Sequence, residues 1–137
     1  MQIKVLSADD AALLEHVAVG VFDQPVDPGL AKQFLADPRH HIAAVITDGE
    51  IVGIASAVHY VHPDKPPELW INEIAVAPLQ RSQGLGKVLM EALFDLGRNL
   101  GCAEAWVLAE DENEVAKRFY VSLGGRPSPA TIFSFDL

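Results

Sequence analysis

The segment RSQGLGK at residues 81–87 has the residue types that most directly suggest chemistry. An apolar, strand-like stretch comes before it and an amphipathic helical pattern follows, so the segment is a turn that leads into a helix. The first amides of a helix have no intrahelical acceptor and lie at the positive end of its dipole. Gly84 and Gly86 would let a ligand approach this backbone, and Arg81 adds a positive charge. The segment therefore predicts a site for a phosphate-containing ligand.

Two common phosphate-binding motifs do not fit this segment. A Walker A loop would need glycine in place of Arg81, and serine or threonine in place of Val88. A dinucleotide-binding fingerprint would need a small residue in place of Leu89. What remains is the pattern Arg-x-x-Gly-x-Gly at the start of a helix, which disfavours nucleotide hydrolysis.

A second pattern lies downstream and consists of Asn113, Ala116, Phe119, Tyr120, Leu123 and Gly124. In this order and spacing, the two patterns resemble the cofactor loop and the closing helix of the GCN5-related N-acetyltransferase (GNAT) family. The resemblance implies that acetyl-CoA is the cofactor and that its pyrophosphate binds Arg81, Ser82, Gln83, Gly84, Leu85, Gly86 and Lys87. It also implies that Asn113, Ala116, Phe119 and Tyr120 contribute to cofactor binding. Asn113 could equally be the N-cap of its helix, and the two roles are compatible.

Acetyl transfer to an amine needs a proton acceptor, because an alkylammonium with a pKa of about 10.4 is mostly charged at neutral pH. We select Glu73, a carboxylate within the strand-forming sequence WINEIAV at residues 70–76. Simple alternation puts Glu73 on the same face as Ile71 and Ala75, although a neighbouring bulge could redirect it. The alternative is that Glu73 lies on a solvated face of the sheet.

The reaction also needs a donor for the developing oxyanion and a proton donor for the departing thiolate. The resemblance implies that backbone N–H groups at Ile74, Ala75 and Val76 serve the oxyanion. For the proton donor we select Tyr120, which lies one step off the apolar stripe of its helix. Its alternative role is that of a packing tyrosine with a satisfied hydroxyl group.

Acidic residues indicate the type of acceptor. The chain has a net charge of −9 and no basic stripe, which disfavours nucleic acid as a partner. Glu110 and Asp111 lie before the last helix, Asp136 lies near the C-terminus, and together with Glu73 they could bind a cationic amine. These acids could instead serve solubility or the helix dipole.

The chain is similar to one branch of the GNAT family, the small aminoglycoside 3-N-acetyltransferases. The matching features are Glu73 in its strand, the loop at residues 81–86, the acidic turn, the Phe119-Tyr120 pair and the closing residues Phe133 to Leu137. The pair Asn72-Glu73 departs from the usual Tyr-Asp of that branch, and Gly125 replaces a frequent apolar residue. The acceptor could therefore be another small amine or a peptide N-terminus. A non-catalytic acyl-CoA-binding module and a purely structural domain are further alternatives.

The remaining expectations concern organisation. At 137 residues, we expect residues 1–137 to form one domain. We expect it to be cytoplasmic, without a membrane segment or a metal. The oligomeric state is open: the family resemblance implies a homodimer, for which the apolar C-terminal strand could be a contact. The pattern predicts the following elements: strands at Ile3–Leu6, His41–Thr47, Ile51–Tyr60, Leu69–Ala77, Glu104–Ala109 and Thr131–Asp136, and helices at residues 8–21, Leu30–Leu35, 85–100 and Asn113–Leu123. This order implies an α+β fold of the GNAT type, with a central, mostly antiparallel mixed sheet and a parallel crossover pair in its middle.

Overall fold

The computed structural model describes residues 1–137 and contains five strands and three α-helices. In chain order the elements are β1 (Gln2–Val5), α1 (Pro28–Ala36), β2 (His40–Thr47), β3 (Glu50–Tyr60), β4 (Glu68–Val76), α2 (Leu85–Asn99), β5 (Glu104–Val107) and α3 (Glu114–Ser122). Two 3₁₀ segments, Ala8–Glu15 and Pro78–Gln80, complete the regular structure. Most predicted elements are confirmed to within two or three residues.

The strands form one sheet in the order β1-β2-β3-β4-β5. The first four pair antiparallel, and β4 pairs with β5 in parallel. Asp48 and Gly49 both have positive φ values, 52° and 76°, which is the backbone that a tight hairpin turn requires. The mixed, mostly antiparallel sheet predicted from the sequence is therefore confirmed.

The hydrophobic core lies between the sheet and its helices. The apolar stripe of α2, which includes Leu85, Leu89 and Leu93, is buried against the sheet. A β-carbon on Gly53 would lie 3.4 Å from Leu89 Cδ1, so this position of β3 faces α2. No α-helix is both long enough and apolar enough to span a lipid bilayer.

The prediction of a first helix at residues 8–21 is wrong in two respects: the segment is a 3₁₀ helix, and it ends at Glu15. Residues Ala8–Glu15 form a 3₁₀ segment, which begins where Ser7 N–H and the Asp10 carboxylate are 2.8 Å apart. The chain then leaves helical geometry, because the His16 carbonyl accepts from Ile51 N–H and Ala18 N–H donates to the Ile51 carbonyl. Val17 and Val21 thus reach the core through pairing with β3 and a following turn, although their spacing is helical.

The prediction of a last strand at Thr131–Asp136 is also wrong, because no strand forms there in the isolated chain. Residues 126–137 have no regular secondary structure and are exposed. A strand requires a neighbour for its backbone groups, and no backbone hydrogen bond connects this segment to the sheet. The parallel pair therefore lies at the edge of the sheet rather than in its middle, and β5 ends at Val107, two residues earlier than predicted.

Candidate active site

Strands β4 and β5 separate at one end, and this opens a gap in the sheet. They pair from Glu68–Glu104 to Ile71–Val107, after which β5 ends and β4 continues to Val76. Residues 72–76 of β4 therefore pair on one side only, with β3. Polar backbone groups along the other side of this segment are free to bind a ligand.

A bulge in β4 determines the direction of Glu73. Ser56 pairs with Glu73 and its neighbour Ala57 pairs with Ile71, so Asn72 is an extra residue. Adjacent residues of β3 point to opposite faces, and cross-strand partners share a face. Glu73 thus lies on the face of the sheet away from α2, whereas Ile71 lies on the face towards α2. Simple alternation would have placed both residues on the same face. Its carboxylate is exposed and takes part in no ion pair or hydrogen bond within the protein.

The backbone of β4 offers N–H donors at the gap. Ala77 N–H donates to the Val52 carbonyl at 2.8 Å, so the groups of Ala77 point towards β3. By alternation, the N–H and carbonyl groups of Val76 and Ile74 point away from β3, towards the gap. Arg81 Nε donates to the Val76 carbonyl at 3.2 Å, which agrees with this direction. Such amides could stabilise negative charge on a reacting carbonyl oxygen.

The loop at residues 81–87, called the basic loop from here on, has the backbone of an anion site. Ser82 and Gly84 have positive φ values, 64° and 75°, and Ser82 is a residue type that seldom adopts this region. Gly84 is the N-cap of α2 and supplies no side-chain hydrogen bond. The first backbone hydrogen bond into the helix is from Val88 N–H to the Gly84 carbonyl, so the amides of Leu85, Gly86 and Lys87 lack intrahelical acceptors. These amides and Arg81 fit a diphosphate.

Gly86 has a packing role that the sequence did not indicate. A β-carbon at Gly86 would stand 3.2 Å from Cζ of Phe119 on α3. The absence of this carbon allows α3 to pack against the first turn of α2. The glycine-containing loop and the closing helix, which the sequence reads as two separate motifs, are therefore in direct contact.

Helix α3 positions Asn113 and Tyr120. The Asn113 side chain accepts from Ala116 N–H at 3.0 Å, which confirms the N-cap role. Tyr120 is half-buried beside an apolar cavity of about 80 Å³ that Ile71, Phe94 and Val107 also line. Burial raises the pKa of the Tyr120 hydroxyl above its usual range, so it stays protonated at neutral pH.

The predicted acceptor-binding acids differ in their surroundings. The Asp111 carboxylate and carbonyl both bind Lys117 Nζ, at 3.2 and 2.9 Å, so this acid closes the turn before α3. Glu110 is exposed and takes part in no ion pair. Asp136 lies on the exposed C-terminal segment, and no hydrogen bond fixes it near Glu73. Within one chain, the acids predicted to bind the acceptor thus do not form one cluster.

An aromatic stack on the Glu73 face was missed by the sequence analysis. The rings of Trp70 and Trp106 lie 5.0 Å apart and 11° from parallel, and Tyr60 stacks on Trp70 at 6.0 Å. Trp70 pairs with Val58, two residues from the Ser56 that pairs with Glu73, so the stack and the carboxylate share a face. The only sequence signal is the placement of three aromatic residues on three strands, and their adjacency depends on strand register.

Two polar pairs that contain histidine lie at the end of the sheet that carries the aromatic stack. His41 Nε2 and His59 Nδ1 are 2.7 Å apart, and His62 Nε2 is 2.8 Å from the Glu68 carboxylate. Burial and the neighbouring His59 lower the pKa of His41 to about 4. The His41 ring is therefore neutral at neutral pH, and it shares one hydrogen bond with the His59 ring.

One protein-family model matches most of this chain. The model of the Acetyltransferase (GNAT) family matches residues 11–124, which include β4, the basic loop and α3. The chain belongs to the GNAT family. It is accordingly an N-acetyltransferase that uses acetyl-CoA.

Several named relatives support this assignment. An aminoglycoside N(6')-acetyltransferase type 1 of Salmonella typhimurium is 31% identical to this GNAT protein over 99 residues, which are 68% of each chain. An uncharacterised N-acetyltransferase of Mycobacterium bovis is 28% identical over 87% of this chain and 73% of its own. Streptothricin acetyltransferase of Streptomyces lavendulae is 30% identical over 73% of this chain and 59% of its own.

Solved structures share the fold of this GNAT protein. An aminoglycoside acetyltransferase from a soil metagenome, in complex with sisomicin, superposes with a TM-score of 0.83 at 21% identity and covers 99% of this chain and 95% of its own. The aminoglycoside N-acetyltransferase AAC(6')-Iy in complex with CoA gives a TM-score of 0.80 at 21% identity, over 98% and 93% of the two chains. The fold class predicted from the sequence is confirmed.

Proposed function

We propose that this GNAT enzyme acetylates an amino group of an aminoglycoside or a related polycationic amine. The observation that carries the proposal is the arrangement around the gap between β4 and β5. The basic loop, α3 and Tyr120 lie on the α2 side, whereas Glu73 and the aromatic stack lie on the other side. An acyl donor and an amine could therefore approach each other from opposite faces of the sheet.

Each group has a role in this mechanism. Acetyl-CoA, when bound, supplies an activated acetyl group. Arg81 and the free amides of α2 would hold its diphosphate, together with Ser82, Gln83, Gly84, Leu85, Gly86 and Lys87. Glu73 would take a proton from the acceptor's ammonium group, directly or through water, so that the neutral amine can attack the acetyl carbonyl. The amides of Ile74 and Val76 would stabilise the oxyanion, whereas the Ala75 amide points towards β3 by the same alternation and does not reach the gap. The protonated Tyr120 hydroxyl would hydrogen-bond the leaving sulfur and pass on a proton.

The acceptor class is supported by the Glu73 face and by the relatives. A carboxylate beside stacked aromatic rings suits a molecule with ammonium groups on sugar rings, because aromatic rings attract both cations and apolar C–H groups. Glu110, an exposed acid three residues after the end of β5, would add negative charge, and the net charge of −9 favours the approach of a polycation. Two of the named relatives acetylate aminoglycoside or streptothricin antibiotics, by their names.

A thiol-release assay with acetyl-CoA tests this proposal. We expect turnover with kanamycin- and gentamicin-type aminoglycosides and much less with spermidine, 2,4-diaminobutyrate or a short peptide with a free N-terminus. A neutral disaccharide serves as the control for release without an acceptor. Preference for the peptide would refute the acceptor class while leaving acetyl transfer intact. No release with any amine would favour an acyl-CoA-binding module without catalysis.

The acetylated position stays a prediction. The sequence resemblance indicates the amine at position 3, whereas the named aminoglycoside relative is an N(6')-acetyltransferase. Two-dimensional NMR of the purified product identifies the acetylated amine. Acceptors that lack one of the two amines provide the matched control, because only removal of the reacting amine abolishes turnover.

A further inference from the structure

An apolar cavity of about 80 Å³ lies where the gap between β4 and β5 begins. Its walls include Ile71 and Val107, which form the last residue pair before the two strands separate. Met90 and Phe94 of α2 form the opposite wall. The cavity therefore continues from the gap into the space between the sheet and α2, and acetyl transfer as proposed gives these four residues no role.

Helix α3 and the glycine beyond its end form the third side of the cavity. Tyr120 and Leu123 line it from α3, and Gly125 lines it where the chain leaves the helix. Gly125 N–H donates to the Tyr120 carbonyl at 3.0 Å, and a β-carbon on Gly125 would lie 2.8 Å from that carbonyl oxygen. The chain can pass this close to α3 only with glycine here, so no side chain from this position fills the cavity.

The cavity is open to solvent, unlike a packing defect inside the core. Gly125 and Ala105 are exposed at its rim, whereas Ile71 and Met90 are buried at its base. The residues that line it are apolar or aromatic, apart from the glycine. An apolar group of matching size that displaces loosely held water from such a site gains binding free energy.

We propose that this cavity binds the terminal carbons of an acyl chain longer than acetyl, so that the enzyme transfers propionyl and butyryl groups from their CoA thioesters as well as acetyl. A water molecule takes about 30 Å³ of liquid volume, and a methylene group is of similar size. The cavity of about 80 Å³ therefore has room for two or three such groups. Butyryl adds two carbons to acetyl and fits, whereas octanoyl adds six and does not.

Tyr120 connects the cavity with the site proposed for the acyl donor. Its hydroxyl is the group that would bind the leaving sulfur, and the same residue lines the cavity. The methyl carbon of an acetyl thioester is only two bonds from that sulfur, so further carbons extend beside Tyr120. The inference rests on this proposed role of Tyr120 and is independent of the acceptor class.

A longer acyl group leaves the chemistry of the transfer unchanged. The amine nitrogen bonds to the acyl carbonyl carbon and the carbon–sulfur bond breaks. The amine loses a proton and the sulfur gains one, so free CoA leaves as the thiol. Only the amide that is formed differs, because it carries the longer chain.

Calorimetry of the intact chain with CoA thioesters tests the cavity without any acceptor amine. Burial of one methylene group tightens binding about fourfold, so the dissociation constant should fall about fourfold from acetyl-CoA to propionyl-CoA and about tenfold to butyryl-CoA. Propionyl-CoA and butyryl-CoA that bind no better than acetyl-CoA would overturn the proposal. Octanoyl-CoA that binds as tightly as butyryl-CoA would also overturn it, because the chain would then lie along the surface.

Ala105→Ile tests the location of the acyl chain. Ala105 pairs with Leu69, which packs against Gly97 of α2, so a larger side chain at residue 105 would enter the cavity. We expect butyryl-CoA to bind this variant about tenfold more weakly than the wild type, and free CoA to bind both equally. Ala103→Ile is the matched control, because it makes the same change at an exposed residue outside the cavity. An equal loss for free CoA would assign the cavity to the pantetheine arm and overturn the proposal.

Thiol release with an amine that accepts acetyl tests the transfer itself. The wild type should turn over propionyl-CoA and butyryl-CoA, and Ala105→Ile should lose turnover of butyryl-CoA selectively. Tight binding of butyryl-CoA without its transfer would refute the added activity. No release with acetyl-CoA and any amine would refute the proposed function instead, and the binding series would still decide what the cavity holds.

Discussion

The Cζ atom of Phe119 lies 3.2 Å from the point where a β-carbon of Gly86 would stand. This contact joins the helix that begins at the basic loop to the helix that carries Asn113 and Tyr120. Because a contact this short requires the neighbour to move, the separation of the two helices depends on the absence of a side chain at Gly86.

The variant Gly86→Ala should disturb this contact. We expect a loss of about 1 kcal/mol in the free energy of unfolding, because overpacking outweighs the gain in helix propensity. We also expect weaker binding of CoA. Thermal unfolding with and without CoA measures both effects. Phe119→Leu should compensate Gly86→Ala, so the double variant should be more stable than the sum of the single changes, and strict additivity would contradict the proposed contact.

Glu73→Gln should lower kcat by about 100-fold or more, because the amide side chain does not take the proton that the acceptor's ammonium group must lose before its amine attacks. The dissociation constant of acetyl-CoA should change little, since Glu73 lies on the opposite face of the sheet from the basic loop. Steady-state kinetics and calorimetry measure the two quantities. Glu91→Gln, an exposed acid on α2, is the matched control. Unchanged turnover in Glu73→Gln would remove this residue from the mechanism.

Tyr120→Phe should lower kcat by about 100-fold and leave the KM for acetyl-CoA nearly unchanged, because the ring still packs but the proton donor is lost. Burial raises the pKa of Tyr120, so its protonated form persists through the alkaline range in which amines are neutral. The activity of the wild type should therefore not decline between neutral pH and about pH 9 through ionisation of Tyr120. An effect confined to KM would argue for a purely structural role.

Tyr60→Leu should raise the KM for the acceptor about tenfold and leave the KM for acetyl-CoA unchanged, because it removes the outer ring of the stack on the Glu73 face. Tyr60→Phe keeps the ring and should behave like the wild type in initial-rate kinetics. An equal KM for the acceptor in both variants would mean that the acceptor does not contact the stack.

Stability should decline in mild acid because of His41. Burial and the neighbouring His59 lower its pKa in the folded protein to about 4, compared with about 6.5 in the unfolded chain. The unfolded state therefore binds more protons below pH 6.5, and stability is lost as the pH falls from about 6.5 towards 4. The ring is only half-buried, so we expect His41 to account for a fall of about 4 °C in Tm, equivalent to ~1 kcal/mol.

Thermal unfolding of His41→Gln between pH 7.5 and 4.5 measures this contribution. The variant should show a shallower pH dependence than the wild type. His16→Gln, which changes an exposed histidine, should leave the slope unchanged. Parallel curves for the wild type and His41→Gln would contradict the assignment.

Elements with local signals could be predicted from the amino-acid sequence. The two strands on either side of Asp48-Gly49, the amphipathic pattern of α2 and the paired loop and closing-helix motifs depend on neighbouring residues, and each lies close to where the pattern predicted it. The GNAT fold and the cofactor followed from those motifs. The helical spacing of Val17 and Val21 misled, because pairing with β3 at Ile51 outweighs local propensity.

Contacts between residues on neighbouring strands could not be predicted in this way, because they depend on how the strands pair. The extra residue Asn72 reverses the face of Glu73, and a bulge is a property of two strands in register rather than of one sequence window. The Tyr60, Trp70 and Trp106 stack depends on the same register. Residues 131–137 show the opposite case, since a strand-like pattern forms a strand only where another edge satisfies its backbone groups.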